Sequence, residues 1–249
     1  MNANKSWQNK VVLITGGSRG LGLALGRELI VKGARIAICS RTPEELKRAR
    51  TDLLAHVPQG WVFARACDVS IRAQVDEFVR AAEEALGPID TVINNAGIIQ
   101  MGPYLSMSTR DHEEIMRSNF WGTVNVTQAV APKMAARRDG LIVNITSVGA
   151  LVPVPHLLPY AASKFAAFGF SMSLYVELSK YGVHVLTVAP WLMRTGSFLN
   201  VLLKGRKHEE FKWFNFAANA PLVSMDGAKA ARKIVRAMEA RRSLLVLGW

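Results

Sequence analysis

Residues 11–41 read VVLITGGSRGLGLALGRELIVKGARIAICSR and combine two apolar runs with a glycine-rich turn. The first run, Val11 to Thr15, and the second, Arg35 to Cys39, have the length and composition of buried strands. A helical pattern runs between them from about Gly20 to Lys32. Strand, turn and helix in this order predict a unit in which free backbone amides at the helix N-terminus face an anion.

The turn itself, TGGSRGLG at residues 15–22, has glycines where a bound phosphate group would need them. Gly16, Gly20 and Gly22 let the backbone turn tightly and approach a pyrophosphate, whose charge the helix N-terminus stabilises. A glycine-rich stretch can also be a plain flexible turn. Its position between a strand and a helix favours dinucleotide binding.

The same alternation of strands and helices continues to the end of the chain, without a linker, repeat or low-complexity segment. Because short runs rich in Val and Ile suit strands buried on both faces, the sequence predicts an α/β fold with one doubly wound, mostly parallel sheet. Residues 1–249 are expected to form a single domain. The further strand-like runs are Trp61–Ala66, Ile89–Ile93, Leu141–Ile145, Val183–Val188 and Leu244–Leu247. The further helical patterns are Pro43–His56, Ile71–Leu86, Thr109–Ala136, a helix entered at Tyr160, and Asp226–Ala240.

Composition excludes several classes of protein. Half of the 249 residues are hydrophobic, but no run is long enough to span a membrane and the N-terminus has no apolar signal core, so a cytoplasmic protein is expected. The two cysteines, Cys39 and Cys67, have no metal-ligand spacing; we expect small core residues and no metal site.

The formal charge is +12, and residues 200–249 hold ten Lys or Arg against four acids. Since no nucleic-acid motif accompanies this charge, a solvated helix face is favoured over nucleic-acid binding.

The end of the second strand indicates which nicotinamide cofactor is bound. An acid about 20 residues beyond the glycine turn would hold a ribose 2′-hydroxyl, but the chain has Ser40 and Arg41 there. Ser40 does not repel a 2′-phosphate, Arg41 would pair with one, and Arg19 in the turn adds a second cation. NADP(H) is therefore favoured over NAD(H). The alternative is that both arginines are simply exposed to solvent.

Polar and small residues also follow the third and fourth strands. Asp68, followed by Val69, could accept a hydrogen bond from an adenine amino group or cap the next helix, and these roles look alike in sequence. Asn95, Ala96 and Gly97 follow the fourth strand, where they suit a tight turn beside a cofactor crevice. They would also suit any other turn.

The stretch Leu141–Lys164 carries the candidate chemistry. Its strand leads to Ser147, and Tyr160 and Lys164 lie four residues apart, on one face of a helix. A free tyrosine loses its proton near pH 10, so acid–base work at neutral pH requires a pKa lower by about three units, or roughly 4 kcal/mol. Lys164 could stabilise the phenolate, and Ser147 could orient or polarise a substrate oxygen. The alternative is an amphipathic surface with a snorkelling lysine.

Asn119 lies in the middle of the predicted helix Thr109–Ala136, where asparagine is a poor helix former. A buried amide needs hydrogen-bond partners, which a structural water or a proton relay would supply. An exposed or capping amide is the alternative.

With TGGSRGLG, NNAG, Asn119, Ser147 and YAASK in this order, the chain resembles the short-chain dehydrogenase/reductase (SDR) family. The resemblance is close over roughly residues 8–195, and Ser147 stands 13 residues before Tyr160, as is usual in that family. It implies a Rossmann-type sheet in the order 3-2-1-4-5-6-7 and hydride transfer between the nicotinamide and a carbonyl or alcohol. Tyr160 would be the general acid or base, and Ser147 would bind the carbonyl oxygen. Lys164 would lower the pKa of the tyrosine and hold the nicotinamide ribose, and Asn119 would keep a water in the proton relay.

The resemblance also implies cofactor contacts after the sixth strand, at Pro190 and Thr195. The family usually has glycine after this proline, whereas the chain has Trp191, whose ring is expected to reshape the pocket floor. The full set of expected cofactor contacts is Gly16, Ser18, Arg19, Gly20, Leu21, Gly22, Ser40, Arg41, Asp68, Val69, Asn95, Ala96, Gly97, Tyr160, Lys164, Pro190 and Thr195.

Residues 196–221 correspond to the variable substrate lid of the SDR family. Large apolar side chains in this lid and in the loop before Tyr160 predict a pocket for an apolar carbonyl or secondary alcohol. Ordinary packing or a subunit contact ranks second, and shallow membrane contact third. The lid residues are Phe198, Leu199, Leu202, Leu203, Phe211, Trp213, Phe214 and Phe216, and the loop residues are Leu151, Val152, Val154, Leu157 and Leu158.

Assembly into a homodimer or homotetramer is also implied, through the long fourth and fifth helices with their aromatic residues Phe120, Trp121, Phe165, Phe168 and Phe170.

Two other functions fit the sequence less well. Sugar-nucleotide epimerases or dehydratases use a similar Ser/Thr, Tyr and Lys set but have longer chains and a different glycine spacing. A non-catalytic dinucleotide sensor that binds a partner through the basic C-terminal part would not need the complete set of Tyr, Lys, Ser and Asn.

Overall fold

Parallel strands in a single sheet form the centre of the molecule in the computed structural model, which describes residues 7–196, 201–205, 212, 215, 216 and 224–248. The strand order is 3-2-1-4-5-6-7, and all neighbours in this sheet are parallel. The predicted doubly wound sheet is therefore confirmed. The strands are β1 Val11–Thr15, β2 Arg35–Ser40, β3 Val62–Ala66, β4 Thr91–Asn94, β5 Gly140–Ile145, β6 Val183–Pro190 and β7 Leu244–Leu247.

Helices cover both faces of the sheet, and local sequence explains where several of them begin. At α4, Ser108 and Asp111 form a capping box in which each side chain accepts from the other's backbone N–H. At α7, Asp226 accepts from the backbone N–H of Lys229 at 2.9 Å. The helices are α1 Gly20–Ile30, α2 Pro43–His56, α3 Arg72–Leu86, α4 Thr109–Met116, α5 Gly122–Arg137, α6 Leu158–Ser179 and α7 Gly227–Glu239. None of the described helices is both long and apolar enough to cross a bilayer.

The core consists of two apolar layers, one on each face of the sheet. Within β1, Val12 and Ile14 pack with Leu25 of α1 on one face. Val11 and Leu13 join the layer under α3 and α5 on the other face. Because successive side chains of a strand point to opposite faces, this two-sided burial requires a continuous apolar run, as the sequence has.

A chain of buried polar side chains crosses this apolar core. Asn94 of β4 donates to Asn144 of β5 at 2.8 Å, and Asn144 donates to Ser171 of α6 at 2.9 Å. Ser171 and Thr187 of β6 share a hydrogen bond of 2.6 Å. All four side chains are buried, so the hydrogen bonds offset much of the cost of removing these groups from water.

The predicted single helix Thr109–Ala136 is interrupted, and this is a correction. A π-helical turn, Arg117–Trp121, separates α4 from α5, and the N–H of Gly122 donates to the carbonyl oxygen of Arg117, five residues earlier. The wider turn places Asn119 in the interior. A hydrophobic pattern of period 3.6 continues across such a turn, so the sequence did not reveal it.

Candidate active site

The carboxyl ends of the strands open into a cleft of about 560 Å³ beside the point where the strand order reverses, between β1 and β4. Most of the predicted site residues line it, although they come from distant parts of the sequence. Gly22 and Asn119 do not line the cleft and lie beneath its surface. The predicted residues that line it are Gly16, Ser18, Arg19, Gly20, Leu21, Ser40, Arg41, Asp68, Val69, Asn95, Ala96, Gly97, Ser147, Tyr160, Lys164, Pro190 and Thr195.

The glycine turn has the shape that a pyrophosphate requires. Gly16 and Gly20 have φ angles of +63° and +56°, which side chains other than glycine rarely adopt. A Cβ atom at Gly22 would overlap the carbonyl oxygen of Gly16. Arg19, the N-cap of α1, gives no side-chain cap, so the first amides of this helix are left for a ligand. This cradle fits a dinucleotide.

Asn95 connects the end of β4 to this turn. Its Nδ2 donates to the carbonyl oxygens of Thr15 and Gly16 at 3.0 and 3.2 Å. The Oγ1 of Thr15 accepts from the backbone N–H groups of Asn95 and Ala96, both at 3.0 Å. Asn95 therefore holds the glycine turn in place. This role goes beyond that of an ordinary turn residue, which the sequence also allowed.

The far end of the cleft is rich in charge. Arg41 is exposed there and makes no ion pair within the described part of the chain. Nη1 of Arg19 pairs with Oε1 of Glu45 at 2.6 Å, and the hydroxyl of Ser18 donates to Oε2 of Glu45 at 3.1 Å. Sequence reasoning missed Glu45, since an acid in the first turn of a helix is common and nothing in the pattern shows that it reaches the glycine turn.

Asp68 and the two cysteines also border this end. Oδ1 of Asp68 accepts from the backbone N–H of Ser70 at 2.9 Å, which closes a turn before α3 and does not cap the helix itself. Cys39 and Cys67 are buried, as expected, and line the cleft. A hydrogen bond between the two thiols raises the pKa of Cys39 and lowers the pKa of Cys67.

Ser147, Tyr160 and Lys164 come together at the other end of the cleft. The Oγ of Ser147 accepts from the N–H of Gly149 at 3.0 Å, and the side chains of Ser147 and Tyr160 both lie beside Gly149. The Nζ of Lys164 is buried, donates to the carbonyl oxygen of Ile145 at 3.0 Å and lies 5.8 Å from the centre of the Tyr160 ring. The predicted shared helix face is present in α6.

The net shift of the Tyr160 pKa is opposite to the one expected from the neighbouring Lys164. Burial raises the pKa of Tyr160 above its ordinary value, and the hydrogen bond to Ser147 offsets only part of this effect. Burial also lowers the pKa of Lys164 to about 8. At neutral pH the protein atoms therefore keep Tyr160 protonated and Lys164 mostly charged.

Asn119 is buried and is neither an exposed nor a capping amide. Its Oδ1 accepts from the N–H of Ile98 at 2.8 Å, and its Nδ2 donates to the Ile98 carbonyl oxygen and to Ser163, both at 3.0 Å. Ser163 in turn donates to the backbone carbonyl of Tyr160 at 2.7 Å. Asn119 thus ties the loop after β4 to the start of α6; its part in a water relay stays a prediction.

Apolar side chains surround the end of the cleft that holds Ser147 and Tyr160. Two of the predicted loop residues, Val154 and Leu157, line it, whereas Leu151, Val152 and Leu158 are exposed. The sequence did not single out Ile98, Ile99, Leu192 and Met193, which also line it. Trp191 lines the cleft too, and its backbone N–H donates to Leu247 at 3.0 Å.

Part of the predicted lid is described. Leu202–Leu203 pairs in parallel with Gln100–Met101, and Leu203 packs in the apolar cluster of Leu157. Nζ of Lys204 pairs with the buried carboxylate of Asp111 at 3.0 Å. Phe216 is exposed. The remaining lid residues of the prediction lie outside the described residues: Phe198, Leu199, Phe211, Trp213 and Phe214.

Asp111 is the anchor of this segment, and its hydrogen bonds stabilise the ionised form. Its carboxylate accepts from the backbone N–H of Ser108 at 2.8 Å and from the hydroxyl of Ser108 at 2.7 Å. Lys204 and Gln100 also donate to it. These donors hold the pKa of Asp111 well below its usual value, in that order of importance.

The structure also describes the two surfaces that the sequence offers to a partner, the aromatic residues of the long helices and the basic C-terminal part. Phe120 packs edge-on against Phe170, with ring centres 6.1 Å apart, and Trp121 and Phe165 are about half exposed. On the basic C-terminal part, Arg232 of α7 pairs with Glu28 at 3.6 Å, and Lys229 and Arg236 of the same helix are exposed. The preference for a solvated helix face over nucleic-acid binding stays a prediction.

Comparison with known proteins gives consistent matches. A family model for short chain dehydrogenase matches residues 10–202. The Dehydrogenase/reductase SDR family protein 7-like of Anopheles gambiae is 38% identical over 196 residues, which cover 78% of this chain and 62% of that protein. The chain thus spans less than two thirds of that relative's length.

Two solved structures share the fold. An NADPH-bound short chain oxidoreductase from Pseudomonas aeruginosa PAO1, with an atypical catalytic center, superposes with a TM-score of 0.84 at 27% identity, covering 97% of this chain and 96% of that one. A short chain dehydrogenase/reductase from Burkholderia phymatum in complex with NAD superposes with a TM-score of 0.89 at 24% identity, covering 96% and 89%.

Proposed function

The chain belongs to the short-chain dehydrogenase family, and on that premise we propose that it transfers a hydride between NADP(H) and an apolar carbonyl or secondary alcohol. One observation carries the proposal: Ser147 and Tyr160, which both lie beside Gly149, line the same cleft as the buried ammonium of Lys164 and the glycine turn. Proton donor, cation and phosphate cradle thus share one cleft.

The lining of the cleft supports a division of binding roles. The first amides of α1, with Gly16 and Gly20, would hold the pyrophosphate, and Asp68 would lie near the adenine. Tyr160 and Lys164 would hold the nicotinamide ribose. When bound, the nicotinamide supplies the hydride for reduction or accepts it in oxidation.

Proton transfer is the part of the reaction that the side chains perform. In reduction, Tyr160 donates its proton to the carbonyl oxygen while the hydroxyl of Ser147 donates a hydrogen bond to the same oxygen. The raised pKa of Tyr160 keeps that proton in place at neutral pH. The ammonium of Lys164, charged below about pH 8, stabilises the phenolate that remains. In oxidation, the phenolate takes the proton, so a higher pH favours that direction.

The apolar wall beside these hydroxyls supports an apolar substrate. Val154, Leu157, Leu192 and Met193 offer few polar groups to a ligand, so a carbonyl compound with an apolar body would lose little hydrogen bonding on entry. We also propose that residues 196–221 form a lid over this end, within a single domain.

The preference for NADP(H) rests on two residues. Arg41 is an exposed cation in the cleft, and Ser40 beside it carries no charge that would oppose a phosphate. The solved relatives hold different cofactors, so their likeness does not decide between NADPH and NADH.

The catalytic proposal is tested with Tyr160→Phe. Turnover should fall by about 10²–10⁴-fold, the usual contribution of a general acid, while the Kd for NADPH changes by less than about threefold, roughly 0.7 kcal/mol. Tyr181→Phe, at a partly exposed tyrosine outside the cleft, is the matched control. The assay follows NADPH absorbance with ketosteroids, retinoids, acyl thioesters and quinones. Most activity retained in Tyr160→Phe would refute the assignment, and no absorbance change with any compound would favour a dinucleotide sensor.

The cofactor proposal is tested with Arg41→Asp. The affinity for NADPH should fall at least about tenfold more than that for NADH, because a charge-assisted contact to the 2′-phosphate is replaced by repulsion. Arg48→Asp makes the same charge change at an exposed position of α2 and controls for the general field. An unchanged ratio of the two Kd values in Arg41→Asp would mean that the phosphate site lies elsewhere.

Assembly and location are further proposals. The half-exposed Trp121 and Phe165, beside the packed Phe120 and Phe170, support a homodimer or homotetramer formed through α5 and α6. Light scattering measures this. The cytoplasmic location expected from the sequence stays a prediction for cell fractionation.

A further inference from the structure

Glu45 contacts two hydrogen-bond donors of the glycine turn at once. Its Oε1 lies 2.6 Å from Nη1 of Arg19, and its Oε2 accepts from the hydroxyl of Ser18 at 3.1 Å. Its side chain is 23% exposed, against 51% for Arg19. All three residues line the same cleft as Arg41.

The position of Glu45 in α2 strengthens this arrangement. Pro43 opens the helix, and Glu45 lies in its first turn, where the unpaired amides and the helix dipole favour a negative charge. The carboxylate is therefore held both by its own helix and by the cation of Arg19. It acts as a built-in anion at the end of the cleft that carries Ser40 and Arg41.

We propose that Glu45 is a specificity-determining residue that limits the preference for NADPH over NADH. It occupies the donors of Ser18 and Arg19 and offsets the positive charge of Arg19, which would otherwise attract a 2′-phosphate beside Arg41. This inference rests on the proposed function, because it assumes that the 2′-position of the ribose lies at this end of the cleft. It makes Glu45 a positioning residue that acts largely through Arg19.

The two cofactors differ where Glu45 would act. A 2′-phosphate adds about 1.5 to 2 negative charges at neutral pH, whereas NADH has a neutral hydroxyl at that position. Removing the carboxylate should therefore strengthen NADPH binding and leave NADH binding nearly unchanged. Without Glu45, the two arginines would give the stronger preference that the sequence alone predicts.

The test is Glu45→Gln, which keeps the size of the side chain and an oxygen acceptor for Ser18 but removes the charge. Glu44→Gln is the matched control: it removes the same charge one residue away, at an exposed position that does not line the cleft. Calorimetric titration of each variant of the chain with NADPH and NADH gives the four Kd values. The titrations are repeated at about 50 mM and about 300 mM salt, where screening differs.

In Glu45→Gln, the Kd for NADPH should fall about five- to tenfold at low salt, less at high salt, and the Kd for NADH should change by less than about twofold. Glu44→Gln should change either Kd by less than about twofold. Combined with Arg19→Ala, the substitution Glu45→Gln should lose most of its effect. An unchanged or weaker affinity for NADPH, or an equal gain for both cofactors, would overturn the inference.

These outcomes are distinct from a failure of the proposed function. If Arg41→Asp lowers NADPH affinity selectively but Glu45→Gln changes nothing, only the role of Glu45 is lost. If Arg41→Asp leaves the ratio of the two Kd values unchanged, the 2′-phosphate site lies elsewhere, and the part of the proposed function that this inference rests on fails.

Discussion

Replacing Lys164 by methionine should stabilise the protein in the absence of dinucleotide while abolishing its turnover. The ammonium is buried, and burial lowers its pKa from 10.5 to about 8. At about 1.4 kcal/mol per pKa unit, keeping the proton in the folded state at pH 7 costs about 3 kcal/mol. Methionine removes this cost but also the hydrogen bond to Ile145, which contributes about 1 kcal/mol. The expected net gain at pH 7 is about 2 kcal/mol of unfolding free energy.

The pH dependence gives this prediction its sign. Between pH 8 and 10.5 the unfolded chain retains the Lys164 proton that the folded protein has released, so the unfolded state binds more protons and wild-type stability rises with pH. The methionine variant lacks this titration. Its advantage over the wild type should therefore shrink by about 2.5 kcal/mol between pH 7 and pH 10.

Urea unfolding of both proteins at several pH values between about 7 and 10 measures this difference. Lys47→Met, at an exposed position of α2, is the control and should show no such pH dependence. Activity is followed in parallel and should be lost in Lys164→Met. A variant that is less stable than the wild type at pH 7, or an advantage that does not change with pH, would refute the argument from burial.

Two further substitutions address the glycine turn and the anchor of the described lid segment. Gly22→Ala places a methyl group against the Gly16 carbonyl oxygen and should destabilise the fold by about 1–3 kcal/mol and weaken NADPH binding at least about tenfold, roughly 1.4 kcal/mol. The control Gly169→Ala, in open space on α6, should stabilise the helix by up to about 1 kcal/mol, and equal effects at both glycines in calorimetry would contradict the steric argument. Asp111→Asn should cost about 2 kcal/mol at pH 7, since charge-assisted hydrogen bonds to Lys204 and Ser108 are lost. The pKa of Asp111 is depressed in the folded protein, so the carboxylate stabilises the fold fully above its unfolded pKa and stops doing so as pH falls through its folded pKa. If the stability lost in Asp111→Asn, measured by urea unfolding, is the same in acid as at pH 7, the charge is not responsible.

The sheet was predictable because each of its strands depends on a local pattern. An apolar run such as Val11–Thr15 is needed wherever both faces of a strand are covered, and it is visible in sequence. The pairing of Tyr160 with Lys164 was predictable for the same reason, since helix geometry alone brings residues four apart together. These features require no knowledge of distant contacts.

The features that were missed depend on contacts between distant segments. The contact of Glu45 with Arg19 joins residues 26 apart, and an acid at the start of a helix has a sufficient local explanation. The raised pKa of Tyr160 follows from its partial burial in the cleft, which the spacing to Lys164 does not reveal. In the π-helical turn, Asn119 accepts a hydrogen bond from the backbone N–H of Ile98, which lies 21 residues earlier in the sequence.

The buried hydrogen-bond chain through Asn94, Asn144, Ser171 and Thr187 bears on how the sheet avoids misalignment. In a sheet covered on both sides, a strand that slips along its neighbour by two residues still buries valine and isoleucine. Hydrophobic contacts alone therefore distinguish poorly between one strand register and another. The same slip would separate these amides and hydroxyls from their partners in a dry interior, at about 1–3 kcal/mol for each group left unpaired. A few polar atoms thereby select one alignment of β4, β5 and β6, and this alignment sets the shape of the cleft at the ends of these strands.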